Sequence, residues 1–151
     1  MKNNLQRKQL DEKLKAFSAL QNAKTPVGGW LKAIRTTLGM SLEQLGNKLS
    51  VTKQSIQSLE KREKEGSITI NTLKETAQAL DMQFVYALLP IDGSLEQLIE
   101  RKAELLAKEI VMRTTQTMVL EDQENAQAQL KDAIEERKKE IMERNPKILW
   151  D

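Results

Sequence analysis

Residues 42–60 read Leu-Glu-Gln-Leu-Gly-Asn-Lys-Leu-Ser-Val-Thr-Lys-Gln-Ser-Ile-Gln-Ser-Leu-Glu, and their spacing decides the fold. Ser41 precedes the run, and Gln44 three residues on completes a capping-box pattern, so a helix starts at Leu42. Leu42, Leu45 and Leu49 form its apolar stripe. Thr52 caps a second helix, in which Ile56 and Leu59 face inward. Gly46 falls where that second helix must cross closely, and Val51 is expected to pack beneath the turn. The outward positions are Lys53, Gln54, Ser55, Gln57 and Ser58. They are basic or uncharged, rich in hydrogen-bonding groups, and no acid follows until Glu60. A helix with such a face fits a B-DNA major groove, about 12 Å wide.

The flanks extend this pair. A preceding helix runs from Trp30 to Leu38, with Trp30, Leu31, Ile34 and Leu38 inward, and stops at Gly39. Lys61–Ser67 reads as a charged surface loop, and Arg62 and Lys64 there alternate with Glu63 and Glu65. Phosphate contact and a solvated loop both fit that pattern. Asn71 or Thr72 caps a further helix, with Leu73, Ala77 and Leu80 inward. Phe84–Leu89 is a short apolar run containing β-formers, ended by Pro90, and reads as one short β-strand. A lone strand leaves backbone groups unpaired. Pairing with the same strand of a second chain would satisfy them, with Phe84, Val85, Tyr86, Ala87 and Leu88 at a homodimer interface.

Residues from about 3 to 23 read as a helix carrying Leu10, Leu14 and Phe17, and Thr25–Gly29 interrupts it. Ser94 caps a later helix whose face carries Leu95, Leu98, Ile99, Leu105, Leu106 and Ile110. Another runs from about Glu121 to Arg144 around Leu130, Ile134 and Ile141. The division is therefore a helical arm at 1–25, a central domain at 26–90 and a helical extension at 91–151. The arm is net +4 and the central domain net +2, whereas the extension has ten basic against fourteen acidic residues, net −4. An acidic extension is poorly suited to lying along phosphates.

The 151 residues contain no cysteine and no histidine. That removes disulfides, thiolate metal sites and the commonest general base. No glycine-rich phosphate loop occurs, because Gly28-Gly29 lacks a following Lys-Ser/Thr. No catalytic residue, metal or cofactor is expected. The amino-terminal stretch is polar, no apolar run approaches the roughly 20 residues of a membrane span, and a cytoplasmic address is the default. Aromatics at 3% argue against single-strand binding by base stacking.

From Trp30 to Leu80 the chain resembles the XRE (phage Cro/repressor-like) helix-turn-helix family. The resemblance implies a mainly α, lambda-repressor-like fold, with Thr52–Lys61 as the recognition helix on double-stranded DNA. The contacts it implies are Lys53, Gln54, Ser55 and Gln57, with Gln44 beside them, and Thr52, Ser58, Lys61 and Arg62 complete the candidate DNA-binding set. Gln44 matches a position that meets phosphate at a helix N-terminus. Arg35 and Glu60 match an internal salt bridge. Ser50 departs from the family's usual turn glycine. A narrower resemblance rests on Ser55–Glu60, the Glu65-Gly66-Ser67 stretch and the Ala79–Pro90 segment. These are similar to mobile mystery protein A, a family associated with a Fic-domain partner. That implies an autoregulating repressor of a toxin-antitoxin-like operon with a palindromic operator; alternatively, an antitoxin that binds its Fic-domain partner directly. The Ser/Thr-x-x-x-Glu-Gly/Asn motif of Fic inhibitors is not met: Lys61 precedes Glu65-Gly66 and Leu120 precedes Glu124-Asn125.

Overall fold

The computed structural model describes residues 2–115 and 123–151, which divide into two compact units. One is Asn22–Tyr86; the other joins Met1–Gln21 to Ala87–Asp151. The arm and the extension drawn from the sequence thus fall largely in one unit.

In the first unit the elements are α2 (Trp30–Thr37), α3 (Leu42–Leu49), α4 (Lys53–Glu65) and α5 (Ile70–Ala79), and α1 (Lys2–Lys15) belongs to the second unit. The start of α3 is set by a reciprocal capping box. Gln44 N donates to Ser41 Oγ at 3.0 Å, and Ser41 N donates to Gln44 Oε1 at 2.8 Å. The helix ends at Ser50, whose φ of 57° is left-handed. Val51 N then donates to Gly46 O at 2.9 Å. A β-carbon on Gly46 would lie 2.7 Å from Val51 O, so the backbone of the turn, rather than the next helix, requires glycine there. The Val51 side chain is 41% exposed and does not pack beneath the turn. Thr52 caps α4 by accepting from Ser55 N at 3.1 Å.

α4 continues through Lys61–Glu65, where a loop was expected, and stops at Gly66 in the left-handed region. Lys, Arg and Glu are good helix formers, and no breaker occurs before that glycine. Thr69, rather than Asn71 or Thr72, caps α5, accepting from Thr72 N at 3.1 Å. The core gathers Leu31, Leu45, Ile56, Leu59 and Leu80, with Ile34, Leu42, Leu49 and Leu73 packed against it. Trp30 and Leu38 were expected inside and are half exposed. They stand at the first residue and the C-cap of α2, off the packed turns.

The short strand expected at Phe84–Leu89 is not formed. Residues 82–90 have no regular secondary structure, and no β-strand occurs among the described residues. β-Forming composition favours an extended chain, but a strand exists only through the ladder it makes with another segment. Among the described residues no backbone hydrogen bond of that kind reaches residues 83–89.

In the second unit α6 (Leu95–Thr115) and α7 (Gln123–Arg144) pack against each other, with a short 3-10 turn at Pro146–Trp150. The expected start of α7 at Glu121 lies outside the described residues. The expected apolar face of α6 is shifted: Leu105 is 58% exposed, whereas Ala103 and Ala107 are fully buried with Ile141. Small residues at a helix crossing let the axes approach, and Leu106, Ile110 and Ile134 close over them. α1 (Lys2–Lys15) is held on α6 by two side chains one turn apart. Asp11 accepts from Leu95 N at 2.7 Å and from Glu96 N at 3.3 Å, while Arg7 pairs with Glu96 at 2.7 Å. Among the described residues no helix is long and apolar enough to cross a membrane.

Candidate nucleic-acid interface

α4 has two sides with different tasks. Ile56, Leu59 and Glu60 are buried, and Lys53, Gln54, Gln57, Ser58 and Lys61 are exposed. The exposed set recurs at helical spacing, so it lies along one face. Lys53, Gln54, Gln57 and Ser58 make no side-chain hydrogen bond among the described residues, which leaves their donors and acceptors outward. Lys61 stands 3.9 Å from Glu65 in an exposed i,i+4 pair, too weak to hold it. Thr52 and Ser55 are exposed too, but their hydroxyls bond each other at 2.9 Å as part of the cap. Gln44 is exposed at the head of α3, with Oε1 engaged in the capping box and Nε2 left as a donor.

Behind this face lies a charged scaffold. Arg35 of α2 grips Glu60 with both edge nitrogens, Nε to Oε2 at 3.0 Å and Nη2 to Oε1 at 2.8 Å. Its Nη1 donates to Met40 O at 2.9 Å. Both side chains are buried, so the pair fixes the angle between α2 and α4 and is not available to a ligand.

A second acid of α4 has a role that the sequence did not reveal. Glu63 accepts from Trp30 N at 2.9 Å and from Leu31 N at 2.8 Å, capping α2 from across the fold. The N-cap residue itself is Gly29, with φ of 90° and no side chain to offer. A β-carbon there would lie 2.8 Å from Glu63 Oε1. The available signal was a helix start lacking a Ser, Thr, Asp or Asn cap, together with an acid one turn beyond Glu60. Arg62 next to it is partly buried, and its Nε is sealed from solvent without a hydrogen-bond partner. It is therefore less free to reach phosphate than Lys61 or Lys64, which are exposed.

Of the residues proposed for a dimer interface, Val85, Tyr86 and Leu88 are exposed, and Phe84 and Ala87 are partly covered. The rings of Phe84 and Tyr86 stack with centroids 5.8 Å apart.

Residues 31–86 match the family model described as Helix-turn-helix (HTH_3). This segment is similar to helix-turn-helix domains of the XRE type. Within the helix-turn-helix domain, α3 and α4 are the two helices of the motif and Ser50–Thr52 is the turn between them. No curated protein and no solved structure matches the chain.

Proposed function

We propose that this chain is a sequence-specific transcriptional regulator that inserts α4 into the major groove of double-stranded DNA. The observation that carries the reading is the acid-free exposed face Lys53, Gln54, Gln57, Ser58 and Lys61, on a helix clamped from behind by Ile56, Leu59 and Glu60. Glutamine amides suit adenine edges, and lysine suits guanine edges or phosphate. The head of α4 and the Gln44 amide at the head of α3 supply donors for flanking phosphates. The reading contains no catalytic step, and a cytoplasmic setting goes with it.

The finer reading is an autoregulating repressor of a toxin-antitoxin-like operon, acting as a homodimer on a palindromic operator. The likeness of Ser55–Glu60, Glu65–Ser67 and Ala79–Pro90 to mobile mystery protein A supports the operon and a Fic-domain partner. The exposed apolar side chains of Val85, Tyr86 and Leu88 support the dimer. The alternative, direct inhibition of the Fic-domain partner, draws on the residues outside the helix-turn-helix domain.

Gel shifts on DNA from the chain's own upstream region test the central claim. Lys53→Ala and Gln54→Ala are each expected to lose about 1–3 kcal/mol of specific binding, and Gln54→Ala to relax preference at one base pair. Unchanged affinity and preference in both variants would remove α4 from the groove. Co-purification with the genomic neighbour separates the alternatives: a stable complex that silences the partner without DNA favours the direct antitoxin.

A further inference from the structure

The unit built from Met1–Gln21 and Ala87–Asp151 carries a groove of about 620 Å³ between α1, α6 and the Pro146–Trp150 turn. We propose that this groove binds a small aromatic carboxylate.

The argument starts from Arg7. Its side chain is only 7% exposed, yet it lines the groove. A guanidinium presents five N–H donors in a fixed fork. Nη1 donates to Glu96, and among the described residues the Nε/Nη2 edge makes no hydrogen bond. Neither of those nitrogens is among the buried, unpartnered atoms, so the edge keeps access to solvent. Glu96 touches one nitrogen alone and is itself 42% exposed, so it does not fill the fork. The same edge of Arg35 takes Glu60 at 3.0 and 2.8 Å elsewhere in this chain, and that geometry matches a carboxylate.

The surroundings restrict the rest of the ligand. Arg144 and Lys147 add positive charge to the wall, and no acid lines this groove. Glu143 lines the adjoining groove of about 600 Å³, which shares Arg7 and Arg144. Leu10 and Ile99 offer apolar surface. Trp150 is half exposed, and Lys102 Nζ stands 5.3 Å from its ring centroid. A flat ring can stack on the exposed part of the indole.

Salicylate is the probe, titrated into the full chain by calorimetry at low ionic strength. A Trp30→Phe background leaves Trp150 as the sole indole for fluorescence. Expected are one site per chain, saturation below about 1 mM, and quenching of Trp150. Arg7→Lys keeps the charge and loses the fork, and should bind about tenfold more weakly. Lys147→Gln alters an exposed residue and should weaken binding about threefold with the fold intact by circular dichroism. Inorganic phosphate offers no ring to Trp150, Leu10 and Ile99 and should bind at least about tenfold more weakly than salicylate, and benzyl alcohol, which offers no carboxylate to Arg7, not at all. No saturation by about 10 mM, affinity unchanged in both variants, or phosphate binding as tightly as salicylate would each overturn the proposal. A chain that fails the gel shift can still pass this titration, so the two readings stand or fall separately.

Discussion

Ser50 and Gly46 show how much of the motif rests on single backbone positions. Ser50 holds φ of 57°, where a β-carbon crowds the following carbonyl at a cost of about 1–2 kcal/mol. Ser50→Gly relieves that crowding and gives up some chain entropy in the unfolded state. The expected net effect is a gain of about 0.5–1 kcal/mol in denaturant unfolding, with DNA binding retained. Gly46→Ala should do the opposite. The new methyl would meet Val51 O at 2.7 Å, and backbone cannot swing aside as a long side chain can. A loss of about 1–3 kcal/mol is expected, with weaker gel shifts because the turn that aims α4 must move. An unchanged unfolding midpoint for Gly46→Ala would contradict the close contact.

At the scale of the element, α4 is longer than a bare recognition helix needs to be, and its last turn has work to do. Glu63 reaches the head of α2, so one helix both carries the exposed face and caps the helix that it packs on. Glu63→Ala leaves two backbone N–H groups without their acceptor, for an expected loss of about 1–2 kcal/mol. Glu63→Gln keeps an acceptor but loses the charge facing the helix end, and should cost less. Chemical denaturation of both variants orders them. A Glu63→Ala chain as stable as the parent would show that the cap contributes nothing. Since the substitution removes an acid, any loss of specific DNA affinity cannot come from losing positive charge.

For the whole molecule, salt and self-association are the informative variables. If DNA binding neutralises phosphates, log K falls with log salt at a slope of about −0.9 per phosphate contacted. Lys53→Ala should reduce that slope by about 1 if Lys53 meets phosphate, and leave it unchanged if Lys53 reads a base. Two recognition helices on a palindrome require half-sites about 34 Å apart, hence a dimer. Sedimentation at micromolar concentration is expected to show one, and Tyr86→Pro or Leu88→Glu to weaken it. Leu88 is 85% exposed and lies beside the exposed Val85 and Tyr86, an apolar stretch that a second chain would cover. A clean monomer for the parent chain would remove the dimer.

The sequence by itself determined the presence of the helices, though not the end of α4 or the start of α5, together with the capping box at Ser41 and Gln44, the Thr52 cap and the inward pair Ile56 and Leu59. These rest on contacts within about one helical turn, so their information is local. The exposed face of α4 was legible for the same reason: once the inward residues are known, helical periodicity assigns the outward ones. Family resemblance, not spacing, linked Arg35 to Glu60, which lie 25 residues apart. Only the tertiary structure decided what depends on distant partners. Glu63 finds α2 across 33 residues, Arg7 finds Glu96 across 89, and neither meeting leaves a periodic trace in the sequence. Trp30 was placed inside by its spacing with Leu31 and Ile34, and Val51 as packing beneath the turn, but each stands where the packed surfaces end. Alanine rather than leucine fills the α6–α7 contact, because the closeness of two helices is a property of the pair. The segment at 84–89 has strand-forming composition and no strand, because a strand is defined by its neighbour. The helix-turn-helix motif at 42–60 was therefore readable from its own residues, and the Glu63 cap that ties its second helix to α2 was not.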